Sequence, residues 1–260
     1  IAADRAAGLL PAFVASTVGT TGTTAVDPVR VVGEVARDEG LWHHVDAAYA
    51  GSAMICPEFR HHQDGLELAD SYVFNPHKWL LTNFDCSAFF VADRVTLIET
   101  LSIVPPYLRN AASDSGAVID YRDWHVPLGR RFRALKLWFV IRSYGVEGLR
   151  SMLRKHLALA ENLYETVRGE PDFEIVAPLS FALFNFRYRP PGLNDEVAIE
   201  RLNQVLLERL NASGALYLTQ NRVRGRFAIR FAIGQSNTEA RHVEAAWKMV
   251  AETARGLPEG

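Results

Sequence analysis

Residues 27–49 read Asp27-Pro28-Val29-Arg30-Val31-Val32-Gly33-Glu34-Val35-Ala36-Arg37-Asp38-Glu39-Gly40-Leu41-Trp42-His43-His44-Val45-Asp46-Ala47-Ala48-Tyr49. Asp before Pro marks a helix start, with the carboxylate as N-cap and Pro at the first helical position, where its missing donor costs nothing. Val31, Val32, Val35 and Ala36 supply the apolar stripe, and Gly40 ends the run. Leu41 to Tyr49 then reads as a strand. Upstream, Leu9 to Val18 is mostly apolar, with Pro11 near its start, and is expected to be a buried strand. Strand, helix, strand with short joints predicts a parallel sheet and an α/β fold.

The same grammar continues on both sides. Leu9–Val18 runs into Gly19-Thr20-Thr21-Gly22-Thr23-Thr24, which is either a flexible polar turn or a ligand loop at the carboxyl end of a strand. Downstream, Glu67 to Asp70 ends a short helix, and the strand Ser71 to Phe74 leads into Asn75-Pro76-His77-Lys78-Trp79. Phe84 to Val91 returns as a strand, expected antiparallel because the connection before it is short. From Ile103 to Gly116 periodicity fails, and Tyr107 is the side chain in that loop able to donate a proton. An apolar helix with a basic first turn starts at Gly129, and another follows Gly145.

After Pro171 the pattern changes. Strands are predicted at 173–176, 181–187, 216–219 and 226–233, with helices over 195–210 and 238–255. The division expected is 1–135, part of a large parallel-sheet domain, and 136–260, linking helices and a small α+β domain.

Composition bounds the rest. Of 260 residues, 48% are hydrophobic and 22% charged, as in an ordinary globular protein. The net charge of -2 offers no basic footprint, so no nucleic-acid partner is expected. No apolar run approaches the roughly 18 residues of a membrane span, and no signal peptide is visible. Cys56 and Cys86 are the only cysteines, too few for a disulfide framework, and a reducing cytoplasmic location is expected. The adjacent pairs His43–His44 and His61–His62 have no spaced partner ligands, so no metal site is expected.

Three strand ends in one sheet would bring Thr21, Asp46 and Lys78 to the same edge. Pyridoxal phosphate needs a lysine for a Schiff base and an anion against its ring nitrogen, and Lys78 and Asp46 can supply both. Burial beside Trp79 and the neighbouring His77 would help keep the amine neutral. A buried ion pair between Lys78 and Asp46 is the competing structural reading.

These stretches also resemble a known family. His44-Val45-Asp46-Ala47-Ala48-Tyr49-Ala50-Gly51 with Asn75-Pro76-His77-Lys78-Trp79 is similar to the group II pyridoxal-phosphate decarboxylases, and within them to the aromatic-L-amino-acid decarboxylases of dopa, tyrosine and tryptophan. Cys56–His61, Asn83–Ala88 and Pro127–Arg133 extend the match over nearly the whole chain.

The resemblance implies the fold type I architecture of pyridoxal-phosphate-dependent transferases, and a carboxy-lyase that turns aromatic L-amino acids into amines and carbon dioxide. It implies Lys78 as the Schiff-base lysine, Asp46 at the ring nitrogen, and Thr21, Ala48 and Asn75 in the cofactor pocket. His77 becomes the lysine's neighbour, Tyr107 the donor that reprotonates Cα, and Phe84 and Gly129 residues of the substrate side. It further implies a homodimer and an amino-terminal half outside these residues, without which the piece is expected to be inactive. An aromatic aldehyde synthase is the alternative, disfavoured by Tyr107 where such relatives usually carry Phe. A non-catalytic fragment acting in dimerisation is the other.

Overall fold

The computed structural model describes residues 1–103 and 111–258. A short helix α1 (Ala2–Ala6) precedes a four-stranded sheet of β1 (Phe13–Thr17), β2 (Trp42–Asp46), β3 (Ser71–Phe74) and β4 (Ala88–Val91), ordered as numbered. The pairs β1–β2 and β2–β3 are parallel and β3–β4 antiparallel, as the spacing of the segments predicts. Helix α2 (Val29–Glu39) makes the first crossover and ends at Gly40 in the left-handed conformation. The turn α3 (Pro76–Trp79) follows β3; α4 (Arg94–Leu101) and α5 (Ala111–Asp114) come later.

Three expectations need correction here. The first strand is shorter than Leu9–Val18 and lies at the sheet's edge, so Leu10 and Phe13 are 91% and 60% exposed while Ser16 and Val18 are buried. Asp27 does not cap α2: its carboxylate accepts the Thr17 amide at 2.7 Å, so a tertiary partner has displaced the local one. The buried face of α2 is Val29, Gly33 and Ala36, whereas Val31 and Val35 face outward. Small residues win that face because the helix lies close on the sheet.

Helix α6 (Arg133–Gly169) starts four residues later than expected, so Arg130 and Arg131 precede it and do not oppose its dipole. It contains a non-helical break at Gly145. It ties both parts together: Arg150 donates to the Ile55 carbonyl at 2.8 Å, while Leu153, Leu163 and Val167 enter the main core.

The second sheet is antiparallel throughout, in the order β5 (Phe173–Ser180), β6 (Leu183–Tyr188), β8 (Arg226–Ala232), β7 (Thr219–Val223). The strand expected near Leu216 lies later in the chain, because Leu218 is used instead to close the end of α7 (Glu196–Ala212) through Asn211. Helices α7 and α8 (Ala240–Arg255) complete the layer. Every residue of β6 is buried, including Arg187, whose guanidinium is held by Glu174 and Glu196 at 2.7 and 2.6 Å. Phe184 sits at the centre, stacked on Phe231 at 6.0 Å. Phe184→Ala should cost about 3–5 kcal/mol through the cavity it leaves, read as a lower midpoint in urea unfolding with an unchanged slope.

Candidate functional site

Asp46 ends β2, in register with Thr17 on one side and Val73 on the other. The chain therefore leaves three neighbouring strands at one level, which sets the Thr21 turn, Asp46 and the Lys78 turn along one edge of the sheet. The half-buried Asp46 carboxylate accepts the Ala48 amide through Oδ1 at 2.9 Å, and the Ala48 carbonyl accepts the Asn75 amide at 3.0 Å. Ala48 thus contributes its backbone, linking Asp46 to the start of the lysine turn. Behind Asp46, burial pushes the His44 imidazole below its ordinary pKa, against the pull of Asp46. His44 and His43 point to opposite faces, His44 to the Ser71 hydroxyl and His43 to the Ser16 hydroxyl.

Lys78 lies on the turn α3 and is exposed, while Trp79 is 1% exposed. Consecutive residues on a helical turn point about 100° apart, so burial of Trp79 does not bury the amine. The expected burial of the amine beside Trp79 is therefore not found among the described residues. Lys78 and Asp46 form no ion pair, which removes the competing structural reading. His77 is firmly placed: its Nδ1 lies 2.7 Å from the Cys86 carbonyl and 3.0 Å from the Cys86 amide, so either tautomer finds a partner. Phe84, 82% exposed, meets the His77 ring edge-on at 4.9 Å.

Asn75 carries the clearest sign of a ligand. Its Oδ1 is buried with no hydrogen-bond partner among the described residues, a state that costs about 1–3 kcal/mol unless something fills it. A half-turn of the amide exchanges oxygen and nitrogen, so the position can offer a ligand an acceptor or a donor. Together with the Lys78 amine, which has no partner among the described residues, and the strand-end carboxylate of Asp46, this fits a group bearing a carbonyl and a ring nitrogen, as pyridoxal phosphate does.

The Thr21 turn is built from outside. Its carbonyl accepts Arg230 at 2.6 Å, and the Gly22 carbonyl accepts Asn185 and Asn221, each at 3.1 Å. Thr24 and Ser180 exchange a reciprocal pair of hydrogen bonds. All four strands of the second sheet thereby contribute to fixing a loop of the first. Arg230 has no acidic partner among the described residues, and burial lowers its pKa. Sequence reasoning missed Arg230, Asn185 and Asn221; the available signal was polar residues inside otherwise apolar strands. Gly129 lines an open recess with Asp85 and Arg133, which are paired at 2.9 Å. Tyr107 lies outside the described residues.

Residues 1–189 match the pyridoxal-dependent decarboxylase conserved domain. Tryptophan decarboxylase 2 of Oryza sativa subsp. japonica is 49% identical over 251 residues, covering 96% of this chain and 50% of that protein. Phenylacetaldehyde synthase of Arabidopsis thaliana is 48% identical, covering 99% and 52%. A crystal structure of Oryza sativa TDC with PLP and tryptamine superposes with a TM-score of 0.93 at 48% identity, over 98% of this chain and 52% of that one. The chain spans about half the length of the curated relatives it matches. With the α/β fold, the family match and these relatives in agreement, the chain belongs to the pyridoxal-dependent decarboxylase family.

Proposed function

We propose that the protein carrying this chain decarboxylates aromatic L-amino acids to amines with pyridoxal phosphate. The observation that carries the reading is the register of Thr17, Asp46 and Val73, which brings three strand ends level, with the third leading into the turn of Asn75 and Lys78, whose Oδ1 and amine have no partner among the described residues. When bound, pyridoxal phosphate supplies an electron sink for the bond broken at the substrate Cα. Lys78 would hold it covalently through its carbonyl carbon, and Asp46 would face its ring nitrogen and keep a proton there. Thr21, Ala48 and Asn75 border it, and His77 braces the lysine turn. Tyr107 donates the proton that replaces the carboxylate at Cα, while Phe84 and Gly129 line the substrate side.

The division at 135/136, a homodimeric site and a cytoplasmic location belong to the same reading, the last supported by two buried, unpaired cysteines. Among the described residues, no helix is long and apolar enough to cross a membrane. The test is incubation of the full-length protein with pyridoxal phosphate and L-tryptophan, L-tyrosine or L-dopa. Equimolar amine and carbon dioxide are expected; aldehyde with hydrogen peroxide, or no turnover of any of the three, overturns the reading. Tyr107→Phe should shift product from amine toward aldehyde, hydrogen peroxide and ammonia, measured by chromatography and a peroxide assay. A variant that still yields only amine removes Tyr107 from its role.

A further inference from the structure

Among the described residues Lys78 makes no side-chain hydrogen bond or ion pair, so its direction comes from its neighbours. The turn that carries it is four residues long, closed by the Lys78 amide on the Asn75 carbonyl at 2.9 Å and the Leu80 amide on the Pro76 carbonyl at 3.1 Å. A helix that short has little stability of its own. It is anchored at His77, through Cys86, and at Trp79.

The Trp79 anchor is the more elaborate. Its indole N–H donates to His156 Nδ1 at 3.1 Å, and His156 Nε2 donates to the Gln235 carbonyl, also at 3.1 Å. His156 is fully buried on α6, with both ring nitrogens in use, so one neutral tautomer is required: bare Nδ1, protonated Nε2. Burial pushes the imidazole toward that neutral form. Tyr49 stacks on Trp79 at 4.9 Å with the rings 5° from parallel, and Phe181 meets it edge-on at 6.5 Å. Stacking on Tyr49 alone would let the indole slide within its plane, and the hydrogen bond to His156 opposes that motion in a directional way.

We propose that His156 is a positioning residue for the reaction, locking Trp79 through the indole N–H and thereby setting the direction in which Lys78 leaves its turn. The inference rests on Lys78 being the cofactor-holding amine. It makes α6 and the segment after β8, both remote in sequence from Lys78, part of the machinery that aims it.

The test uses the full-length protein with pyridoxal phosphate. The rate of covalent attachment at Lys78 is followed by borohydride trapping and peptide mass, alongside kcat, KM and thermal unfolding. Trp79→Phe keeps the stacked ring and removes the N–H; His156→Leu removes the acceptor; His156→Asn keeps an acceptor near Nδ1. Trp79→Phe and His156→Leu should each slow attachment and kcat by about 10-fold to 100-fold with KM nearly unchanged, the sensitivity expected of a misaimed reacting group. The double variant should be no worse than either single one, and His156→Asn should recover most of the rate. Wild-type attachment and kcat in folded Trp79→Phe, additive losses in the double variant, or His156→Asn as slow as His156→Leu each overturn the proposal. If His156→Leu fails to fold, Trp79→Phe and His156→Asn decide. Lys78→Ala in parallel separates the two levels: an adduct surviving there sinks the lysine assignment, whereas its loss beside unaffected Trp79→Phe sinks only the role of His156.

Discussion

Lys78→Ala should abolish the borohydride-trapped cofactor adduct and lower kcat/KM on the order of 10⁴-fold or more, the scale seen when a covalent catalytic group is removed. The loss should be almost purely chemical. Lys78 is exposed and joins no ion pair among the described residues, so its truncation leaves no buried charge or cavity. Unfolding stability should stay within about 0.5 kcal/mol, as for other surface substitutions, and circular dichroism should be unchanged. An unaltered adduct, located by peptide mass on another lysine, would remove Lys78 from the site. A large fall in stability would show instead that the amine has a structural partner.

The second large effect is expected at Asp46, where charge and geometry can be separated. Asn at this position keeps an oxygen acceptor for the Ala48 amide, which now bonds Asp46 Oδ1 at 2.9 Å, and deletes the negative charge. Asp46→Asn should lower kcat by about 10²-fold to 10³-fold, the cost typical of losing one preorganised electrostatic partner. Its stability should remain within about 1 kcal/mol of the parent, since the turn is still closed. Asp46→Ala opens that turn as well and should lose stability in addition. Full activity in Asp46→Asn would mean that the ring nitrogen depends on some other group.

The parts of this site that could be read from sequence are those held by local grammar. Asp46 at the end of an apolar strand, and Asn75-Pro76-His77-Lys78 after another, follow from strand periods and chain breaks. The misreadings arose where a distant partner outbid a local one. Asp27 has the position of a cap, yet the Thr17 amide claims its carboxylate. In α2 the apolar spacing points to Val31, Val32, Val35 and Ala36, whereas close approach to the sheet keeps Ala36 but buries Val29 and Gly33 in place of Val31 and Val35. Arg230 and His156 were illegible for a related reason. Alternation in a strand, or a histidine on an apolar helix face, shows only that a polar group is buried. Which carbonyl or indole it meets depends on contacts across 209 and 77 residues of chain.

The break at Gly145 has a consequence for how this half of the protein can vary. Its φ of 66° with ψ of 171° is a backbone state essentially reserved for glycine, so α6 is two helical segments rather than one. In an unbroken helix each side chain's azimuth is inherited from the residue before it, and one inserted residue rotates everything beyond it by about 100°. Gly145 interrupts that inheritance. Before it, Leu135, Trp138, Phe139 and Ile141 face outward; after it, Leu149, Leu153, His156 and Ala160 face the core. Insertions upstream can therefore re-aim the outer segment without turning His156 away from Trp79. The glycine acts as a firebreak in helical phase, letting the exposed surface drift while the aim of the lysine is kept.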